Sequence, residues 1–339
     1  MRMIIVGFGT VGQNLVKILH SKERQLLKEF GFWPRVVAVV DSCGAAVDPK
    51  GLDLKRTLAV KQTKGSVARD PEFGRAGADP REIIEKVEAE AVLELTPTNV
   101  ADAEPGLSHI KTALRNRRHV ITSNKAPLAI AMPSLMEMAS YNKVLLKFSG
   151  TVGGGTPILD FANSCFTGNR IRSLRGILNG TTNYILTRMA ESNTSMDKAL
   201  NEAQASGYAE ADPSYDIDGI DTACKLVILA NCVMGKESSI RDVKVEGIRK
   251  ITSQDIEGAR RENSEVKLIG SVDEEIKVQP ERIPRRHPLC VGGTLNAVSF
   301  KTELMGEVTI VGKGAGGVET ASAVLRDLVD VRRTLARVV

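Results

Sequence analysis

The first twelve residues constrain this chain more than any other stretch. Residues 2–6 (Arg-Met-Ile-Ile-Val) read as a short buried strand, and Gly7-Phe8-Gly9-Thr10-Val11-Gly12 follows at once. A helical stripe then runs over residues 11–30, carried by Val11, Leu15, Val16, Ile18, Leu19, Leu26 and Leu27. A G-x-G-x-x-G turn alone is weak evidence. Set between a strand and a helix, it is the dinucleotide-binding arrangement. Gly7 allows the tight turn, Gly9 lets the backbone approach the pyrophosphate, and Gly12 lets helix and strand pack closely. The helix N-terminus, with Phe8, Thr10 and Val11 around it, faces the phosphates.

The units that follow repeat the pattern. A second apolar strand, residues 36–40, ends on Asp41, and an acid there is placed to bind the ribose hydroxyls of NAD. Asp41 lies further from Gly12 than the usual spacing of about 20 residues, because the first helix is long. Ser42, Lys55, Arg56, Lys61 and Lys64 offer a 2′-phosphate an alternative, so NAD against NADP stays open. Helices are expected at 80–90 and 110–118, and strands at 91–95, 119–122 and 144–148. Polar loops at strand C-termini are where open α/β sheets take ligands, which singles out Thr96, Thr98, Asn99, Asn124 and Lys125.

The second half has a different texture. Residues 149–157 form another Gly-rich turn, suited to an anion, to a hard monovalent cation on backbone carbonyls, or to a crossing between domains. A strand is expected at 171–178, ending in Asn179-Gly180-Thr181-Thr182-Asn183, with helices at 184–191 and 196–206. Glu210, Asp212, Asp216, Asp218 and Asp221 then crowd a short run that ends on Lys225. Asp221 and Lys225 share one helix face. Ile220, Ala223, Cys224, Leu226, Val227 and Ile228 leave that helix little solvated surface, so its charges must be paired or face a polar cavity. Further strands are expected at 243–248, 276–278, 298–302 and 308–311, and helices at 253–262 and 320–339. Gly312-Lys313-Gly314-Ala315-Gly316-Gly317 opens the last helix like a final αβ piece returning to the nucleotide domain.

Composition narrows the class. With 46 basic and 41 acidic residues, the net charge of +5 argues for no nucleic-acid partner, and a single Trp offers little base stacking. No apolar run is long enough to span a bilayer. Five dispersed cysteines (Cys43, Cys165, Cys224, Cys232, Cys290) suit reduced thiols in a cytoplasmic protein. His20, His109, His119 and His287 lie apart and are expected to be structural.

Taken in order, Gly7 to Gly12, residues 122–129, 150–159, 176–186, 207–225 and 312–323 closely resemble homoserine dehydrogenase, and together they span nearly the whole chain. The resemblance implies a Rossmann-type dinucleotide-binding domain (1–135 plus 305–339) with an inserted α+β catalytic and dimerisation region (136–304). It implies NAD(P)-dependent interconversion of L-homoserine and L-aspartate 4-semialdehyde, a step of threonine, methionine and isoleucine biosynthesis. By motif position Lys225 is the proton donor and acceptor, Glu210 and Asp221 bind substrate, and Lys125 lies beside nicotinamide and substrate. Gly207 and Gly316 join the cofactor positions. A sodium ion is implied on the backbone carbonyls of Ser149, Val152, Gly154 and Thr156, and a homodimer is expected. By that resemblance the chain is expected to be a short form, without the C-terminal regulatory domain of longer members. Rival readings are another semialdehyde or amino-acid oxidoreductase on the same halves, or a catalytically silent nucleotide sensor.

Overall fold

In the computed structural model the opening signature becomes β1 (Arg2–Val6) followed by α1 (Thr10–Ser21). The helix expected over 11–30 breaks at Lys22, whose ψ of 9° is not helical, and resumes as α2 (Glu23–Phe30). The next elements are β2 (Arg35–Asp41), β3 (Gly44–Val47), α3 (Leu54–Lys64), β4 (Gly74–Ala76), α4 (Pro80–Lys86) and β5 (Ala91–Glu94). Then come α5 (Gly106–Arg115), β6 (His119–Thr122), α6 (Lys125–Tyr141) and β7 (Leu146–Lys147). The sheet order is β4-β3-β2-β1-β5-β6-β7. Strands β2, β1, β5, β6 and β7 run parallel, while β3 and β4 add an antiparallel edge. Buried parallel strands need apolar residues on both faces, and Met3, Ile4, Ile5, Val37, Val39, Val92 and Leu93 are all fully buried.

After α7 (Ile158–Cys165) the chain builds a second sheet from β8 (Ile171–Ile177), β9 (Val243–Val245), β10 (Ser264–Val272), β11 (Ile276–Pro284), β12 (Leu295–Thr302) and β13 (Glu307–Lys313). Its order is β13-β12-β8-β10-β11-β9, antiparallel except for the β11–β9 pair. Helices α8 (Gly180–Ser192), α9 (Met196–Ala205), α10 (Ser214–Ile217), α11 (Ile220–Met234) and α12 (Ser253–Arg261) lie between these strands in sequence. The final helix, α13 (Gly317–Arg337), rejoins the first unit, where Ala321, Val324 and Leu328 share a core with Met3, Ile5, Leu15 and Leu93.

The chain divides into two compact units, Met1–Thr151 with Gly316–Val339, and Val152–Ala315. The division lies beyond the expected limits of 135 and 305 at both crossings. Strand β7 still pairs with β6 in the first sheet, and β13 pairs with β12 in the second. The strand expected at 308–311 therefore does not return to the nucleotide unit; only the helix after it does. The structure describes residues 1–337, and the end of the helix expected over 320–339 (Val338 and Val339) lies outside the described residues. No helix among the described residues is long and apolar enough to cross a membrane.

Candidate active site

In the first unit the turn after β1 has the form its glycines require. Gly7 adopts φ +99°, and a Cβ there would lie 2.5 Å from the Leu95 carbonyl carbon. A Cβ on Gly12 would fall 2.5 Å from Gly7 O, whereas one on Gly9 would meet nothing within 4 Å. Gly9 is the N-cap of α1 and supplies no side-chain cap, so the first N–H groups of the helix are left for another acceptor. An open approach over Gly9 and an uncapped helix start fit a pyrophosphate. Gly317 abuts the same turn, since a Cβ on it would lie 2.5 Å from Thr10 Cγ2; this brings neighbouring Gly316 to the start of α1.

The C-terminal ends of β5 and β6 bring the polar candidates together. Thr96 donates through both N and Oγ1 to Glu94, and Asn124 Nδ2 donates to Thr96 Oγ1 at 3.2 Å and Pro97 O at 3.3 Å. Asn124 caps α6, whose first residue is Lys125, and the Lys125 N–H reaches Thr98 Oγ1 at 3.5 Å. The organiser of this cluster is Glu94, fully buried, with His109 Nδ1 at 3.5 Å. The apolar strand pattern hid Glu94 from the sequence reading, although a carboxylate within a buried strand was the available signal.

Asp41, at the end of β2, is engaged by the segments that follow it. Its carboxylate accepts from Cys43 N (3.0 Å), Ser66 Oγ (2.8 Å), Val67 N (3.0 Å) and Lys61 Nζ (2.8 Å). Four donors fill the acceptor sites of a carboxylate, so Asp41 ties down the loops after β2. Burial alone raises its pKa, but the hydrogen bonds led by Lys61 outweigh burial and hold it below the ordinary carboxylate value. Lys61, a candidate for a 2′-phosphate, is committed to the same knot.

In the second unit the expected Asp221–Lys225 pair forms on α11, with Lys225 Nζ 2.7 Å from Asp221 Oδ2 and both side chains under one-tenth exposed. Lys225 Nζ also donates to Leu178 O at 2.7 Å. An ammonium has three N–H groups, and these two bonds leave one. Asn179 follows directly after Leu178. Its Nδ2 donates to Asp216 Oδ1 at 2.7 Å and to Asp221 Oδ2 at 2.9 Å. Its Oδ1 caps α8 by accepting from Thr182 N at 2.8 Å. Every donor and acceptor of this amide is used, so it fixes both carboxylates to the start of α8.

The remaining acids of the run separate by role. Asp216 belongs to the cluster through Asn179; burial, then the Asp221 carboxylate, pushes its pKa up. Asp212 caps Ser214 N at 3.0 Å, and Asp218 pairs with exposed Arg249. Glu210 is exposed, and among the described residues its carboxylate makes no hydrogen bond. Thr181 Oγ1 donates to Tyr208 O at 2.7 Å, which joins the loop carrying Gly207 and Glu210 to the first turn of α8. Tyr215, beside the cluster, has its phenol pushed up by burial and by Cys224 and Asp221.

Comparison with known proteins supplies the context for this arrangement. The family model for homoserine dehydrogenase matches residues 157–329, and that for glutamate/leucine/phenylalanine/valine dehydrogenase matches residues 1–101. The homoserine dehydrogenase of Methanocaldococcus jannaschii is 44% identical over 98% of both chains. The NAD(+)-dependent homoserine dehydrogenase of Pseudomonas canavaninivorans is 37% identical over 99% of this chain and 97% of its own. Among solved structures, a hyperthermophilic archaeal homoserine dehydrogenase in complex with NADPH superposes with a TM-score of 0.85 at 31% identity, covering 98% of each chain.

Proposed function

The chain belongs to the homoserine dehydrogenase family and is an NAD(P)-dependent oxidoreductase, and from that premise we propose that Lys225 is its proton-transfer group in the interconversion of L-homoserine and L-aspartate 4-semialdehyde. The observation that carries this reading is the buried Lys225 ammonium, held on Asp221 and Leu178 O with one N–H left over. Reducing the aldehyde requires a proton for its oxygen, and that N–H can give it. In the reverse direction the neutral amine takes the hydroxyl proton as the C=O bond forms. When bound, the nicotinamide supplies the hydride to the carbonyl carbon or accepts it from the alcohol carbon. Gly7, Phe8, Gly9, Thr10, Val11 and Gly12 are the residues that would hold its pyrophosphate, with Gly316, Thr96, Thr98 and Lys125 around them.

Glu210 supports the substrate side. An exposed carboxylate without a protein partner, on a loop tied to α8, suits the ammonium of an amino acid. Asp221 orients Lys225 and joins it as a substrate ligand. The sodium ion and the homodimer belong to this reading through the family resemblance. Among the described residues no backbone hydrogen bond reaches the carbonyls of Val152 or Gly154, as fits oxygens offered to a cation.

The test is to follow reduced nicotinamide with L-aspartate 4-semialdehyde, using NADH and NADPH in parallel. Lys225→Ala is expected to abolish turnover while dinucleotide binding survives. Near wild-type turnover by that variant would overturn the assignment.

A further inference from the structure

Asn296, the second residue of β12, is 1% exposed, and neither its Nδ2 nor its Oδ1 has a hydrogen-bond partner among the described residues. Buried amides in folded proteins are nearly always satisfied at both ends. The backbone on one side leaves no space to turn away, because a Cβ at Gly314 would lie 1.9 Å from Asn296 Nδ2. The amide is thus fixed in place and unsatisfied.

The register shows which way it faces. Gly270, Gly176 and Val298 form one row across β10, β8 and β12. A Cβ on Gly270 would meet Thr222 and Leu226 of α11, each at 3.2 Å, so this row faces α11. Residues directly opposite in antiparallel strands share a face, and alternate residues along a strand share it too. Phe300 and Asn296 therefore face the same layer as Val298, and Phe300 packs there on Phe161 of α7 and on Phe166, the C-cap of that helix. Ala297 pairs with Ile177 at the end of the β12–β8 ladder, and Asn296 and Leu178 are the next residues beyond that pair on the two chains. Leu178 is the residue whose carbonyl anchors Lys225.

We propose that Asn296 is a further catalytic residue of this site, its side-chain N–H donating to the substrate oxygen that exchanges its proton with Lys225. The proposal rests on the reading given above. Reduction builds negative charge on that oxygen as hydride arrives at carbon, and a donor fixed beforehand stabilises the charge without reorganising. In the other direction the same N–H donates to the negative charge that develops on the alcohol oxygen as Lys225 takes its proton. Asn296 itself gains and loses no proton; the proton passes between Lys225 and the oxygen.

An apolar isostere separates this from a structural role. Asn296→Leu removes an amide that the fold does not satisfy, so its melting temperature is expected to equal or exceed that of the unaltered protein. Its kcat is expected to fall about 100-fold or more, with KM for homoserine and the dissociation constant for NADPH changing less than threefold. Asn296→Ala is read alongside and is expected to show the same loss of kcat. Turnover by the unaltered protein tests the parent reading, and the ratio of variant to unaltered kcat tests Asn296. The proposal is overturned if Asn296→Leu keeps kcat within threefold. It is equally overturned if both variants unfold or melt well below the unaltered protein, since the amide would then be satisfied by a structural water.

Discussion

The sharpest physical consequence of the second unit is the cost of breaking the Lys225–Asp221 pair from one side. Lys225→Met keeps the length of the side chain and removes its charge. Asp221 then keeps Asn179 Nδ2 at 2.9 Å, in a site shared with the Asp216 carboxylate, and Leu178 O loses its donor. With the Asp221 side chain 6% exposed, water does little to compensate. Removing one partner of such a pair costs about 3–5 kcal/mol. At an m-value of roughly 2–3 kcal/mol/M this lowers the urea midpoint by about 1–2.5 M. The double variant Asp221→Leu/Lys225→Met removes the stranded charge as well and is expected to recover to within about 2 kcal/mol of the unaltered protein, the remainder being the partners lost by Leu178 O and Asn179. On the proposed role of Lys225 neither variant is expected to turn over, so the assay is urea unfolding followed by far-UV circular dichroism. A single variant that loses less than about 1 kcal/mol, or a double variant no better than the single, would refute the description of this pair as a desolvated ion pair.

Three other expectations follow from the two units. Gly7→Ala must place a Cβ 2.5 Å from Leu95 C at a φ of +99°, and is expected to cost about 2–4 kcal/mol by urea unfolding. Gly9→Ala meets nothing within 4 Å and is expected to leave stability unchanged while raising KM for the dinucleotide at least tenfold; an unchanged KM would remove Gly9 from the phosphate site. Asp216 carries a pKa raised by burial and by Asp221. Its folded value thus lies above its unfolded one, so its ionised form costs stability above the folded pKa, and the cost vanishes below the unfolded pKa. Asp216→Asn is accordingly expected to be more stable than the unaltered protein at pH 8, with the gain shrinking toward pH 4; a gain independent of pH would contradict this.

What the sequence revealed depends on how local each feature is. The Gly7–Gly12 turn was legible because its requirements are written in adjacent residues: a positive φ, a missing Cβ, a helix start. The Asp221–Lys225 pair was legible because one helical turn joins its members. Asn179 was not, since its two carboxylate partners lie 37 and 42 residues downstream. The donors on Asp41 were hidden for the same reason: Lys61, Ser66 and Val67 lie 20, 25 and 26 residues downstream. Strand β10 escaped notice because eight of its nine residues are buried, so polar and apolar residues do not alternate along it, and its Lys267 sits wholly inside on Asn183 and Thr187. The unit boundaries were displaced because pairing partners for β7 and β13, not local composition, decide to which sheet each belongs.

The interruption of the first unit by the second also sets an order of events at the ribosome. The core around Met3, Ile5, Leu15 and Leu93 includes Ala321, Val324 and Leu328 of α13, which are separated from it by the whole of Val152–Ala315. At 5–20 residues per second the nascent sheet waits on the order of ten to thirty seconds for that helix. Through this interval its apolar face stands open to other chains. The inserted unit, continuous in sequence, emerges with all its strands in hand and can finish first. The half of the molecule that is synthesised earliest is therefore the last to close.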